Sequence, residues 1–125
     1  MDRAAFWGVL LSLVHVAASG HWVGDGCSNA KDPWVIQDDR LFAAVRCCSR
    51  SFAACYSNSA NACLPARANF SAASQICALQ GERLCTKSEL ASNICCGTGC
   101  GYDTVLVWTS TEGTAHWMFS SGWQP

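Results

Sequence analysis

"NFSAASQICALQGERLCTKSEL" occupies residues 69–90, and its spacing predicts two helices separated by a stop. Phe70, Ala73 and Cys77 fall on one face together with Ile76, the pattern of an amphipathic helix. Asn69 stands where a side-chain oxygen caps the first turn, and Gly81 stands where a helix ends in left-handed backbone. Thr86, Lys87, Ser88 and Glu89 then match a capping box, in which the Thr86 hydroxyl and the Glu89 carboxylate each satisfy a backbone N–H of the other residue. Leu90, Ala91 and Ile94 supply the apolar side of this second helix.

Downstream, "CCGTGCGYDTVLVWTS" at residues 95–110 packs three cysteines and three glycines into seven residues ahead of an apolar run. A phosphate loop runs from strand through glycines to helix, whereas here a helix precedes the glycines and a strand follows. Zinc would need four ligands, three from Cys95, Cys96 and Cys100 and a fourth from Cys85 or His116. A redox dithiol would need C-x-x-C spacing, which is absent. The remaining reading is a disulfide-fastened corner, with glycines taking backbone angles that other residues avoid.

Beyond the corner, "TVLVWTS" is β-branched and aromatic and reads as a strand with Trp108 in the core. "TEGT" reads as a turn and "HWMFS" as a return strand. Upstream, residues 41–48, "LFAAVRCC", form the first strand candidate, and residues 49–68 a loop held by Cys55, Cys63 and Pro65. The order of elements predicts a small α+β domain, two helices packed on an antiparallel sheet.

Residues 1–20 carry Asp2 and Arg3, then an uncharged run closed by Ala17, Ala18, Ser19 and Gly20. This is the pattern of a secretory signal peptide cleaved after Ser19 or Gly20, because the strongly apolar part is shorter than the roughly 20 residues that span a bilayer. Residues 21–40 then read as an irregular amino-terminal arm and 41–125 as the domain, with no later membrane span expected. Half of the 125 residues are hydrophobic and 14% are charged, a composition that excludes a disordered chain.

Cys27, Cys47, Cys48, Cys55, Cys63, Cys77, Cys85, Cys95, Cys96 and Cys100 all lie beyond the cleavage point. Ten cysteines in a small secreted chain imply a disulfide framework, although ten allow roughly 945 pairings. Vicinal bonds within Cys47–Cys48 or Cys95–Cys96 would be strained, so each neighbour should reach a different partner. Asn69-Phe70-Ser71 is also a glycosylation sequon.

The formal charge of −1 comes from scattered residues with no basic stripe, which argues against nucleic acid as a partner. Beyond the signal peptide the histidines are His21 and His116, neither in a catalytic motif, and the spacing of Glu82, Glu89, Asp103 and Glu112 signals no carboxylate pair. The chain therefore reads as a non-enzyme with no cofactor. Five tryptophans remain, Trp22, Trp34, Trp108, Trp117 and Trp123; those near the ends either cover the interior or offer flat faces to a ligand such as a sugar ring.

The stretch 69–90, with "LVWTS" behind it, resembles the two-helix region and following strand of C-type-lectin-like domains. The fuller pattern AVRCC…RLCTKSEL…CCGTGCGYD…VWTS resembles a cysteine-rich secreted variant, over about residues 41–111. The resemblance implies a secreted recognition module that binds carbohydrate or a surface glycoprotein. Its calcium motifs, E-P-N or Q-P-D and W-N-D, do not occur here, so no calcium ligand is carried over. The family's final strand is also missing after Trp108, and "LFAAVRCC" is the candidate to take its place. The contact residues expected on this reading are Tyr102, Asp103, Glu112, Trp117 and Trp123, aromatic or acidic residues near the corner and the terminal hairpin. The alternative readings are a structural matrix or cell-wall protein and a small secreted inhibitor or effector.

Overall fold

The computed structural model describes residues 19–28 and 32–114. In chain order they form β1 (Ser19–Asp25), β2 (Val35–Asp38), β3 (Cys47–Cys48), β4 (Cys55–Tyr56), β5 (Asn58–Ser59), β6 (Ala62–Cys63), α1 (Phe70–Leu79), β7 (Arg83–Leu84), α2 (Lys87–Ala91), a 3₁₀ turn (Tyr102–Thr104) and β8 (Leu106–Thr114). The result is a small α+β domain with two helices and several small antiparallel sheets: β2-β1-β8, β4-β3-β7 and β5-β6.

Both helices start and stop where local chemistry dictates. Asn69 Oδ1 accepts from Ala72 N at 2.9 Å. At the other end Gly81 is left-handed (φ 75°), with Gly81 N donating to Ala78 O at 3.0 Å and Glu82 N to Cys77 O at 2.9 Å. Those two bonds are a Schellman stop. On α2, Glu89 N donates to Thr86 Oγ1 at 3.0 Å and Thr86 N to Glu89 Oε1 at 2.9 Å, which completes the capping box.

Residues 21–40, expected to be irregular, instead provide β1 and β2, and β1 is the central strand of the first sheet. The glycines of "GHWVGD" are seats for neighbouring side chains. Ile36 lies over Gly20 and Gly113, and the Trp34 indole lies over Gly24. "TEGT", expected to be a turn, is the end of β8: Gly113 pairs with Gly20 and Thr114 with Ser19. The "HWMFS" return strand falls outside the described residues. Because β1 begins at Ser19, cleavage after Gly20 would remove its first two pairings with β8.

The single strand expected over 41–48 is an extended segment that changes partner. Leu41 and Phe42 are exposed, Ala43 bridges Ala68, Ala44 bridges Val107 in parallel, and Cys47–Cys48 pairs with both β4 and β7. Residues 43–48 thereby stitch the first sheet to the second. Because strand side chains alternate, Ala43, Val45 and Cys47 enter one core while Ala44 and Cys48 enter another.

The first core is centred on Trp108, which is completely buried and donates its indole N–H to Ala68 O at 2.7 Å. Phe70 meets it edge-on with ring centres 5.5 Å apart, and His21 stacks on Phe70 at 3.5 Å. Trp108 is thus core, as expected from its place in the strand, and it bonds a carbonyl as a buried indole must. The second core contains Leu90, Tyr102 and Val107 among cysteines.

All ten cysteines are paired, as Cys27–Cys96, Cys47–Cys77, Cys48–Cys85, Cys55–Cys95 and Cys63–Cys100. Each member of a vicinal pair reaches a different element, as ring strain requires. Cys47 ties to α1 and Cys48 to the residue before the α2 cap, so one dipeptide fastens both helices to the second sheet.

Candidate functional site

Cys95, Cys96 and Cys100, the residues that a zinc knuckle would use, each go to a different disulfide partner. The corner reading holds: Gly97, Gly99, Cys100 and Gly101 all have positive φ. Three of these four are glycine, which pays no steric cost in that region.

The corner closes on Arg46, whose side chain is fully buried. Its Nε donates to Ser57 Oγ at 2.7 Å, Nη1 to Gly26 O at 2.8 Å, and Nη2 to Gly99 O at 3.2 Å and Asp103 Oδ1 at 2.9 Å. The Asp103 carboxylate also accepts from Gly97 N at 3.0 Å. Hydrogen bonding from Arg46 holds the Asp103 carboxyl below the usual carboxylate range. Nothing in "AVRCC" announces this: a buried arginine is rare and is tolerated when its donors are met.

Of the expected contact residues, Tyr102 is 7% exposed and its hydroxyl donates to Leu64 O. It lies in the second core and anchors the corner instead of presenting a face to ligand; burial also raises its pKa. Asp103 is partly exposed but committed to Arg46 and Gly97. Glu112 is exposed on β8, opposite His21. Six residue steps along the strand separate it from Leu106, about 20 Å at the usual rise, so the structure does not bring it to Tyr102 and Asp103. Trp117 and Trp123 lie outside the described residues. Asn69 keeps its position at an exposed helix start with its Oδ1 committed to the cap.

A different cluster assembles where the first sheet meets α2, beside the second core against which Trp34 packs. Val23 enters the first core, whereas Trp22 meets Lys87 of α2, with Gly20 and Gly24 two residues to either side of it in β1. Trp22 sits at an irregularity, where the pairing of β1 with β8 jumps from His21↔Glu112 to Val23↔Trp108. Thr109 Oγ1 donates to Trp22 O at 2.7 Å within this bulge. The first residue of α2, Lys87, has its backbone N–H on Thr111 Oγ1 at 2.9 Å. Its Nζ lies 3.7 Å from the Trp22 ring centre and 5.5 Å from that of Trp34. Both tryptophans are half-buried.

This cluster combines two aromatic surfaces with one cation that has three donor hydrogens. It can stack on an apolar ring face and donate to hydroxyl or carboxylate oxygens. The clue in the sequence is the alternation Gly20, Trp22, Gly24, which leaves room beside one large ring for another from β2. Three sets of charged side chains on neighbouring segments are paired: Arg83 grips Glu89 through two bonds of 2.7 and 2.8 Å, Asp38 holds Arg40, and His21 Nδ1 is 2.7 Å from Asp39 Oδ1. The bond from Arg83 takes the Glu89 carboxyl down to about 2, and that from Arg40 takes Asp38 to about 2.

No family model matches the chain, and no curated protein or solved structure matches it. Among the described residues no helix is long and apolar enough to cross a membrane.

Proposed function

We propose that the protein is a secreted, non-catalytic recognition module of the C-type-lectin-like kind. It binds carbohydrate, free or carried by a surface glycoprotein, through Trp22, Trp34 and Lys87 and without the family's usual calcium site. The observation that carries this reading is the Lys87 ammonium held over two half-buried indoles. Stacking on a sugar ring needs flat aromatic surface, and orienting its hydroxyls needs a nearby donor. Five disulfides and the hydrophobic run of residues 4–18 support export to an oxidising compartment.

The test is a glycan-array measurement on the oxidised protein, with and without a chelator, repeated for Lys87→Met and Trp34→Ala. The expected result is chelator-insensitive binding to one sugar class, weakened roughly tenfold by either substitution, a loss of ~1–2 kcal/mol. Binding that neither substitution affects would remove the site from this face. No binding to any glycan would remove the carbohydrate reading itself.

A further inference from the structure

The sulfurs of Cys48, Cys55, Cys85 and Cys95 are all buried and lie within 4.8 Å of one another. They belong to two disulfides that touch. Cys85 Sγ is 3.7 Å from Cys95 Sγ and 3.8 Å from Cys55 Sγ, both across the gap between the bonds. A zinc tetrathiolate with bonds of about 2.3 Å places neighbouring sulfurs ~3.8 Å apart, so the two separations from Cys85 already equal the edge of that tetrahedron.

We propose that this quartet is a zinc site when its four cysteines are reduced. Two disulfides and one zinc tetrathiolate are then alternative cross-links of the same four positions. The balance is simple. Each disulfide takes two electrons and two protons from a dithiol, which itself becomes a disulfide, and Zn²⁺ then displaces four protons from the four thiols.

Each of the four positions is anchored by something other than its own sulfur bond. Cys48 follows Cys47, which is tied to Cys77, and Cys95 precedes Cys96, which is tied to Cys27. Cys55 pairs with Cys48 along the β3–β4 ladder. Cys85 accepts from Ser110 N at 2.8 Å through its carbonyl and leads directly into the α2 capping box. Opening the two inner bonds leaves these anchors in place, so a metal would find its ligands gathered. The knuckle suggested by the spacing of Cys95, Cys96 and Cys100 has no such geometry, because their partners lie on three different segments.

The experiment uses the full chain, reduced with a phosphine, freed of reductant and refolded with either zinc or a chelator under limiting glutathione disulfide. Thiols are then alkylated and mapped after the metal is stripped. With zinc, one ion per chain is expected, with Cys48, Cys55, Cys85 and Cys95 recovered as thiols and the Cys27–Cys96, Cys47–Cys77 and Cys63–Cys100 bonds formed. Cobalt(II) in place of zinc should give the visible spectrum of a tetrahedral tetrathiolate. Zinc held by a different set of cysteines, or five disulfides formed regardless of metal, would overturn the proposal. The double variant Cys48→Ala, Cys85→Ala should lose the bound ion entirely; retention of one ion per chain there would equally overturn it. Because none of these readouts involves sugar, they stand or fall independently of carbohydrate binding.

Discussion

Arg46 Nη2 lies 2.9 Å from Asp103 Oδ1, joining a fully buried cation to a carboxylate that is 39% exposed. The asymmetry matters more than the distance. Asp103 is the one charged partner among the four residues that Arg46 bonds, so most of the guanidinium's hydrogen bonds outlast a change at Asp103, whereas removing Arg46 takes a donor from all four acceptors. Arg46 also holds the carbonyls of Gly26 and Gly99, so Arg46→Ala deprives several acceptors at once. We expect Arg46→Ala to cost ~3–5 kcal/mol, as for a broken buried pair. Asp103→Asn keeps an acceptor for Arg46 and should cost about 1–2 kcal/mol. Urea denaturation of the oxidised variants measures both; equal losses would mean that Arg46 acts through Asp103 alone.

Acid should weaken the fold through its paired carboxylates. Glu89 has a folded pKa of about 2 against an ordinary 4.5 because Arg83 bonds it. A depressed carboxyl contributes stability that is present above its ordinary pKa and is lost as pH falls from about 4.5 towards 2. Asp38 and Asp103 act with the same sign through Arg40 and Arg46. Solvent screening at the Arg83 pair leaves Glu89 worth about 1–2 kcal/mol. Glu89→Gln keeps both capping-box bonds but loses the charge, so its stability should fall less steeply between pH 5 and pH 2, a window set by these pKa values. Glu82 works in reverse, since burial raises its pKa and its charged form disfavours the fold; Glu82→Gln should steepen the acid loss. Melting temperatures from pH 7 to pH 2 decide both, the Glu82 effect falling above its ordinary 4.5 and the Glu89 effect below it.

Three glycines should respond differently to alanine because different things surround them. A Cβ at Gly26 would run into the Tyr102 carbonyl and the Arg46 guanidinium, and neither can retreat without opening the corner. Gly26→Ala should therefore cost at least about 3 kcal/mol. At Gly24 the obstacle is the Trp34 ring, a side chain and not backbone, so Gly24→Ala should cost less stability than Gly26→Ala but weaken glycan binding by displacing that ring. At Gly97 nothing lies within 4 Å, and only the positive φ of 73° opposes a side chain. Gly97→Ala should cost about 1–2 kcal/mol. A smaller cost at Gly26 than at Gly97 would contradict this ordering.

The parts of this fold that were legible in the sequence are those governed by neighbours along the chain. Asn69, Gly81 and the Thr86–Glu89 box announce helix ends because caps are local bonds. Residues 97–101 announce a corner because glycine clusters have few other uses. The logic of Cys47–Cys48 and Cys95–Cys96 is equally local. What stayed hidden depends on contacts across the chain. Residues 21–40 looked irregular because Gly24 makes sense only once Trp34 lies on it, and "TEGT" looked like a turn because Gly113 serves Ile36. Tyr102 looked like a contact residue because its acceptor, the Leu64 carbonyl, is thirty-eight positions away. The pairing of Trp22 with Lys87 was hidden for the same reason, since a strand bulge and a helix start from distant segments create it.

The disulfides should differ in how they stabilise, and the difference can be read from the loops they close. Cys27–Cys96 spans 69 positions, but with Cys55–Cys95 in place the shortest loop it closes is about 30 residues, worth ~3.6 kcal/mol in the chain-entropy treatment. Cys47–Cys77 spans 30 positions, yet Cys48–Cys85 beside it reduces its loop to about 10 residues and ~2.7 kcal/mol. Loop entropy alone therefore ranks Cys27–Cys96 first. Packing reverses the order: Cys47 and Cys77 are completely buried in the core with Trp108, whereas Cys27 and Cys96 are half-exposed. Replacing the buried pair by alanines leaves a cavity that adds roughly 1–3 kcal/mol, whereas the half-exposed site is filled by solvent. We therefore expect Cys47→Ala, Cys77→Ala to be the more destabilised double variant, with its extra loss in the folded state. Cys27→Ala, Cys96→Ala should act mainly by releasing the unfolded chain and so raise the denaturant slope m. If the Cys27–Cys96 variant loses more stability, chain entropy outweighs core packing in this domain.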